Sequence, residues 1–299
     1  MKRTLLLMLF LLMALVGGCK KTETATSGYR LLLAADPYVP LMQQEVEQFL
    51  SLYPQVKMEV RGASTRGAIV SLLNDSVYTI VIDRQFNEEE NQVVRQTSLR
   101  LVENKIAEDG IAIIVHKRNP ILKIAAESVR RIATKTATEW TQIAESRWSG
   151  PIDLVLTGRN SGMYELLQAK IFAGSKPLEP NTVMNSQREV IQYVSVHTQS
   201  IGFVAASLLK NETANVKMLP VLAKSPDGGE KEYFPGQQEI HESLYPFHYS
   251  LYLYNTEAKA AVGVGFSALV LSNVGQKIFQ RSGLVPVTIP YITIQLHAE

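Results

Sequence analysis

The chain is 299 residues long, with 46% hydrophobic and 19% charged residues, which is enough apolar material for two domains of ordinary size and too much for a disordered chain. The formal net charge is +2, and the N-terminal Lys2 and Arg3 account for both charges, so the remainder is neutral and has no broad positive field for nucleic acid. Cys19 is the single cysteine, which excludes a disulfide within the chain and a cysteine-based metal centre.

Residues 1–18 read as a leader and not as part of the fold. "MKR" is a short basic start, and "TLLLMLFLLMALV" is an apolar run too short for a spanning helix with its own flanks. "LVGGC" resembles a bacterial lipobox. That resemblance implies cleavage before Cys19 and lipid on its sulfur; the alternative is an ordinary secretory signal with an incidental cysteine. Residues 19–28, "CKKTETATSG", form a polar tether.

Beyond the tether the pattern alternates between strand and helix. "YRLLLAA" predicts a buried strand, and Asp36-Pro37 predicts a helix start, with Asp36 as cap and Val39, Met42, Val46, Phe49 and Leu50 on one side up to Tyr53. "VKMEVRG" is a strand, "ASTRGAIVSLLND" a turn leading into a helix, and "YTIVID" a third strand, the α/β signature. Glu88, Glu89 and Glu90 read as a solvated helix start. Ile111–Val115 is a strand, ended at Asn119-Pro120. Short helices follow in "AAESVRRIAT" and "TEWTQI", then the strand "IDLVLTG" and a helix from Met163. "QREVIQYVSVHTQ" is helical, "SIGFVAA" extended, and "AKSPDGGEKEYFPGQQ" a surface loop. "YSLYLYN" is a strand, and a long helical stretch from Ala258 to Gly283 is broken near Gly263–Gly265.

Enzyme signatures are missing. Gly62 and Gly67 have P-loop spacing, but Ala68-Ile69 stand where Lys and Ser/Thr are required. There is no G-x-S-x-G elbow, and the five histidines have no metal-ligand spacing, so neither catalysis, metal nor cofactor is expected. The stretch "LTGRNSGMYELLQAKIF" puts Arg159, Asn160, Ser161 and Gly162 at a helix mouth, whose free N–H groups suit an anion or are simply capped.

Taken in order, six fragments resemble the phosphate-binding proteins of bacterial phosphate ABC importers, from about Leu31 to Pro286. "VPLMQQEVEQFLSLYPQVKMEVRGAST" is similar to that family's first helix, second strand and serine loop, "AEDGIAIIVHKRNPI" to its crossover strand, and "LTGRNSGMYELLQAKIF" to its "GREEGSGTREFFEEKV" helix mouth. "SIGFVAASLL", "LYLYN" and "LSNVGQKIFQRSGLVPV" follow in register with it. The resemblance implies a two-lobe periplasmic-binding-protein fold of type II. Each lobe is then a mixed sheet flanked by helices, with residues 29–115 plus 249–299 as lobe 1 and 116–248 as lobe 2. The chain would cross between lobes near Val115–Asn119 and His248–Leu251. It also implies a monomer anchored through Cys19 in the cell envelope, facing the periplasm or exterior, that captures phosphate in an interlobe cleft for an ABC permease.

Carried over residue by residue, Arg159 matches the family's arginine, Ser161 and Gly162 its helix mouth, Ser64 with Thr65 its serine loop, and Asp83 the aspartate that accepts the ligand's proton. Two positions depart from the pattern. Asp36 stands where a ligand-binding Thr is expected, and Met163 replaces the threonine of "SGT". A carboxylate about 5 Å from a phosphate charge costs on the order of 3 kcal/mol at an effective dielectric of 20. Asp36 either faces the ligand at that cost or turns away as a cap, and Arg66 or Arg84 is placed to compensate. The alternatives are another oxyanion or small anionic solute on the same fold, or a non-transport sensor or envelope lipoprotein.

Overall fold

The computed structural model describes residues 23–172, 177–210, 215–257 and 261–290. The leader 1–18, Cys19, the first part of the tether and residues 291–299 of the expected lobe 1 lie outside the described residues. In chain order the elements are β1 (Gly28–Ala35), α1 (Val39–Leu52), β2 (Val56–Ala63), α2 (Thr65–Leu73), β3 (Thr79–Ile82), α3 (Glu88–Thr97) and the long β4 (Leu101–His116). After these come β5 (Ile124–Ala125), α4 (Ala126–Ala133), β6 (Asp153–Thr157), α5 (Gly162–Leu167), β7 (Thr182–Met184), α6 (Gln187–Val194) and β8 (Ser200–Ala205). The remainder is β9 (Val216–Leu219), β10 (Val221–Lys224), β11 (Glu230–Tyr233), α7 (Gln237–His241), β12 (His248–Thr256), α8 (Ala261–Val270), α9 (Asn273–Arg281) and β13 (Val285–Pro286).

One sheet runs in the order β2-β1-β3-β12-β4-β8-β6-β7. Its two ends are parallel: β1 pairs parallel with β2 and β3, and β6 pairs parallel with β7 and β8. Between them β4 changes partner part-way along its length. Leu101–Gly110 pair antiparallel with β12, and Ile111–Val115 pair with β8. The two lobes therefore share one strand, and they are tied again where the Ile111 N–H donates to the Phe247 carbonyl at 2.8 Å, just before β12 returns. The two faces of the parallel ends carry separate apolar clusters, one built on Ile69, Leu72, Ile80 and Ile82, the other on Ile114, Val155, Val190 and Val194.

Several elements differ from the sequence reading. Pro37 and Pro40 delay the α-helix, so a 3-10 turn fills Asp36–Tyr38 and α1 starts at Val39; Ala35 holds the cap position and Asp36 caps nothing. The strand expected at Ile111–Val115 is the second half of β4, whose first half carries the polar run Glu103-Asn104-Lys105 and is held extended by its pairing with β12. The expected loop after Lys224 contains the return strand of a hairpin, β10 with β11. The terminal helical stretch breaks at Leu271-Ser272, not at its glycines. Gly265 lies in α8 because a Cβ there would stand 2.0 Å from the Ala25 carbonyl oxygen, a close approach that only glycine allows. No single helix among the described residues is long and apolar enough to cross a membrane.

One residue breaks the apolar stripe of α1. Glu45 lies among buried Leu41, Met42, Val46 and Phe49, is 0% exposed, and neither carboxyl oxygen has a hydrogen-bond partner. Burial raises its carboxyl from 4.5 to about 8, so it is protonated at neutral pH. The folded chain holds this proton more tightly than the unfolded chain does, so its contribution to stability is lost as pH rises between those two values. Glu45→Gln, which mimics the protonated form, is expected to flatten that fall when urea unfolding is followed from pH 5 to pH 8. An unchanged slope would show that Glu45 is not the group responsible.

Candidate functional site

The carboxyl ends of five parallel strands, β1, β2 and β3 from one lobe and β6 and β7 from the other, point at one place, the usual position for a ligand in open α/β sheets. Three of the segments leaving those ends start helices, and a serine caps each one. The Ser64 hydroxyl accepts from the Gly67 N–H at the start of α2 (3.2 Å), Ser161 from the Tyr164 N–H at the start of α5 (3.2 Å), and Ser186 from the Glu189 N–H at the start of α6 (3.2 Å). Each mouth leaves further backbone N–H groups free and carries roughly half a positive charge. Between them lies a cavity of about 20 Å3, lined by Asp36, Ser64, Thr65, Asp83, Ser161 and Gly162, with Thr157, Asn185, Ser186 and Gln187 on the side of the second lobe. That is room for about one water molecule, with polar groups on every side.

Asp83, at the end of β3, is 1% exposed and forms the floor. The Thr65 hydroxyl donates to its Oδ1 at 2.7 Å, and the Gly162 N–H donates to the Thr65 oxygen at 3.1 Å, a relay from lobe to lobe. Gly162 is obligatory here, because a Cβ at this position would stand 1.7 Å from Asp83 Oδ1. Burial pushes the Asp83 carboxyl above the usual carboxylate range; the Thr65 bond and neighbouring Arg84 pull it back, and Asp36 adds to the rise. A second interlobe bond runs from the Arg66 N–H to the Asn160 carbonyl at 3.2 Å.

Arg84 is not free to serve a ligand. It grips Glu90 with two nitrogens, at 2.7 and 2.9 Å, and pairs with Glu165 of α5 across the lobe boundary. Glu90 is thus a part-buried ion-pair partner and not part of a solvated helix start, while Glu88 and Glu89 keep that role.

The other expected site residues separate into two groups. Asp36 lines the cavity, keeps part of its surface in solvent and lies over Gly62; partial burial raises its carboxyl. Arg159 and Asn160 are exposed, and Arg159 lines a separate hollow with Tyr164, Leu178 and Glu179. The spacing also differs from that of the motif it resembles. In the related motif the arginine stands four residues ahead of the serine, whereas Arg159 stands two ahead of Ser161. The fourth position is Thr157, whose hydroxyl lies 2.5 Å from that of Ser161. Met163 is 0% exposed and packs in the core behind the mouth. The sequence reading missed Thr157, Asn185, Ser186 and Gln187. A signal for the last three was available in "SQRE", a capping-box pattern in which Glu189 also accepts from the Asn185 N–H at 3.0 Å.

A family profile described as the PBP superfamily domain matches residues 20–274. The chain belongs to the PBP superfamily. Among relatives of this superfamily member, the phosphate-binding protein PstS of Pseudomonas aeruginosa is 26% identical over 282 residues, covering 88% of this chain and 84% of that protein. Protein SphX of Synechococcus elongatus is 25% identical over 271 residues, covering 87% of this chain and 79% of that protein. Among solved structures, a Clostridium perfringens chain described as a phosphate ABC transporter substrate-binding protein, with bound phosphate, superposes with TM-score 0.74 at 22% identity, covering 87% of this chain and 100% of that one. An ABC-type phosphate transport receptor from Vibrio cholerae gives 0.67 at 19% identity, covering 86% and 99%. These likenesses establish the two-lobe fold of this PBP-superfamily chain.

Gly162→Ala is expected to push Asp83 and Thr65 away from the α5 mouth and to part the lobes, at a cost of about 1–3 kcal/mol for the crowded contact. Small-angle scattering should then give a larger radius of gyration than wild type without ligand. An unchanged radius with unchanged thermal stability would show that the Asp83–Gly162 contact does not hold the lobes together.

Proposed function

We propose that this chain is a solute receptor that captures inorganic phosphate between its lobes and hands it to an ABC permease. The reading includes a leader at 1–18, a lipid on Cys19, a tether to residue 28, and a monomer at the cell envelope. Its lobes are 29–115 with 249–299, and 116–248, with β4 shared between their sheets. The relatives named for phosphate binding support the ligand class.

The observation that carries the proposal is the convergence of three serine-capped helix mouths on a cavity of about 20 Å3 floored by Asp83. The mouths supply N–H and O–H donors and about 1.5 units of positive charge to a small anion. Asp83 supplies an acceptor. A protonated phosphate donates to it; sulfate, which has no proton, meets an unpaired and repelled carboxylate, so selectivity comes from repulsion. A second reading, another protonated oxyanion, is favoured by Asp36, which adds a carboxylate at the cavity edge where no side-chain cation lines it.

Calorimetric titration of the purified chain, refolded to strip carried ligand, tests the proposal. Phosphate is expected to bind at about micromolar or tighter and sulfate not to bind. Asp83→Asn should lessen that discrimination, Thr65→Val should weaken phosphate about tenfold, and Arg159→Ala should change it less than about twofold. Absence of phosphate binding, or equal binding of sulfate by wild type, overturns the reading. The anchor is checked separately: labelled palmitate should be incorporated in the wild type and lost in Cys19→Ala, and a wild-type chain without label removes it from the proposal.

A further inference from the structure

Beside the cavity, across Pro37, lies a separate groove of about 330 Å3, within the size range of small-molecule sites. Three cations line it from three segments: Arg188 in the first turn of α6, Lys210 after β8, and Arg281 at the end of α9. No Asp or Glu is among its lining residues, and none of the three cations enters an ion pair among the described residues. Like charges along one rim repel one another, and a bound anion relieves that repulsion. The Lys210 ammonium donates to the Arg281 carbonyl, which brings two of the three into one rim.

The floor is different in character. Pro40, Leu41, Leu208 and Leu284 give it apolar surface. Tyr38 and Ser207 give it hydroxyls that are already committed, since both donate to buried Asp109, at 3.1 and 2.6 Å. A floor held in this way is preorganised. A groove with a cationic rim and an apolar floor calls for an anion with a carbon body. Two guanidinium forks and an ammonium suit a phosphate monoester, which carries about −1.5 to −2 at neutral pH, better than they suit a single carboxylate.

We infer that this groove binds organic phosphate monoesters at a site distinct from the small cavity. The inference does not depend on what the cavity holds, because the groove and the cavity share only Pro37 among their lining residues. The probe is phenyl phosphate, titrated calorimetrically into the full chain in excess inorganic phosphate so that the small site is filled or irrelevant. Saturable one-to-one binding is expected. Arg188→Glu, and separately Arg281→Glu, should weaken it at least about tenfold. Lys57→Glu, an exposed reversal on distant β2, should leave it within about twofold. Thr65→Val should leave phenyl phosphate binding intact while weakening inorganic phosphate, so failure at one site is distinguishable from failure at the other. The inference is overturned if the rim reversals leave the affinity unchanged, if Lys57→Glu weakens it equally, or if inorganic phosphate abolishes it. Arg188 is exposed and makes no hydrogen bond among the described residues, so its reversal decides the matter if Arg281→Glu disturbs the fold.

Discussion

The contact of a buried carboxylate with a bare Cα governs this molecule. Asp83 ends β3 in one lobe, Gly162 opens α5 in the other, and the space between them is too small for a single methyl group. The Thr65 hydroxyl bridges the pair by donating to Asp83 and accepting from Gly162. The approach is possible because both residues lie at carboxyl ends of parallel strands, where helix mouths also gather. Without the glycine the lobes meet at a distance, and the serine caps no longer face a common space.

The electrostatics of the site are economical in side-chain charge. Helix ends and hydroxyls carry the positive potential, and the nearby part-buried cation Arg84 is quenched by Glu90 and Glu165. Quenching has a structural result: the guanidinium fork on Glu90 is rigid, and its bond to Glu165 spans the lobes. Arg84 therefore acts as a clasp. An anion held by neutral donors is recognised by shape and protonation more than by net charge.

Asp109 links the site to its surroundings. It lies in β4 where that strand passes from β12 to β8, is 0% exposed, and collects bonds from Tyr38, Ser207 and the Gly110 N–H. Burial raises its carboxyl to about 6 against those bonds. Tyr38 comes from the 3-10 turn that also carries Asp36, and Ser207 follows β8. One buried carboxylate at the crossing strand thus fixes two residues from opposite lobes, and those two residues form the floor of the cationic groove.

The alternation of apolar strands and amphipathic helices was legible in the sequence because each segment buries one face, and that periodicity is local. Asp83, Ser64, Thr65, Ser161 and Gly162 were named from the family resemblance, and the fold brings all five to the lining of one cavity. Arg159 lies outside that cavity, exposed on the turn, because adjacency in a motif does not show where a long side chain points. Ser186, which lines the same cavity, was not named because its capping pattern stands apart along the chain from the other mouths. The Arg84 clasp, the rim of Arg188, Lys210 and Arg281, and the partner exchange of β4 join residues tens to hundreds of positions apart. Only the folded sheet decides those, because its register brings distant strand ends to one point, and no local pattern encodes that distance.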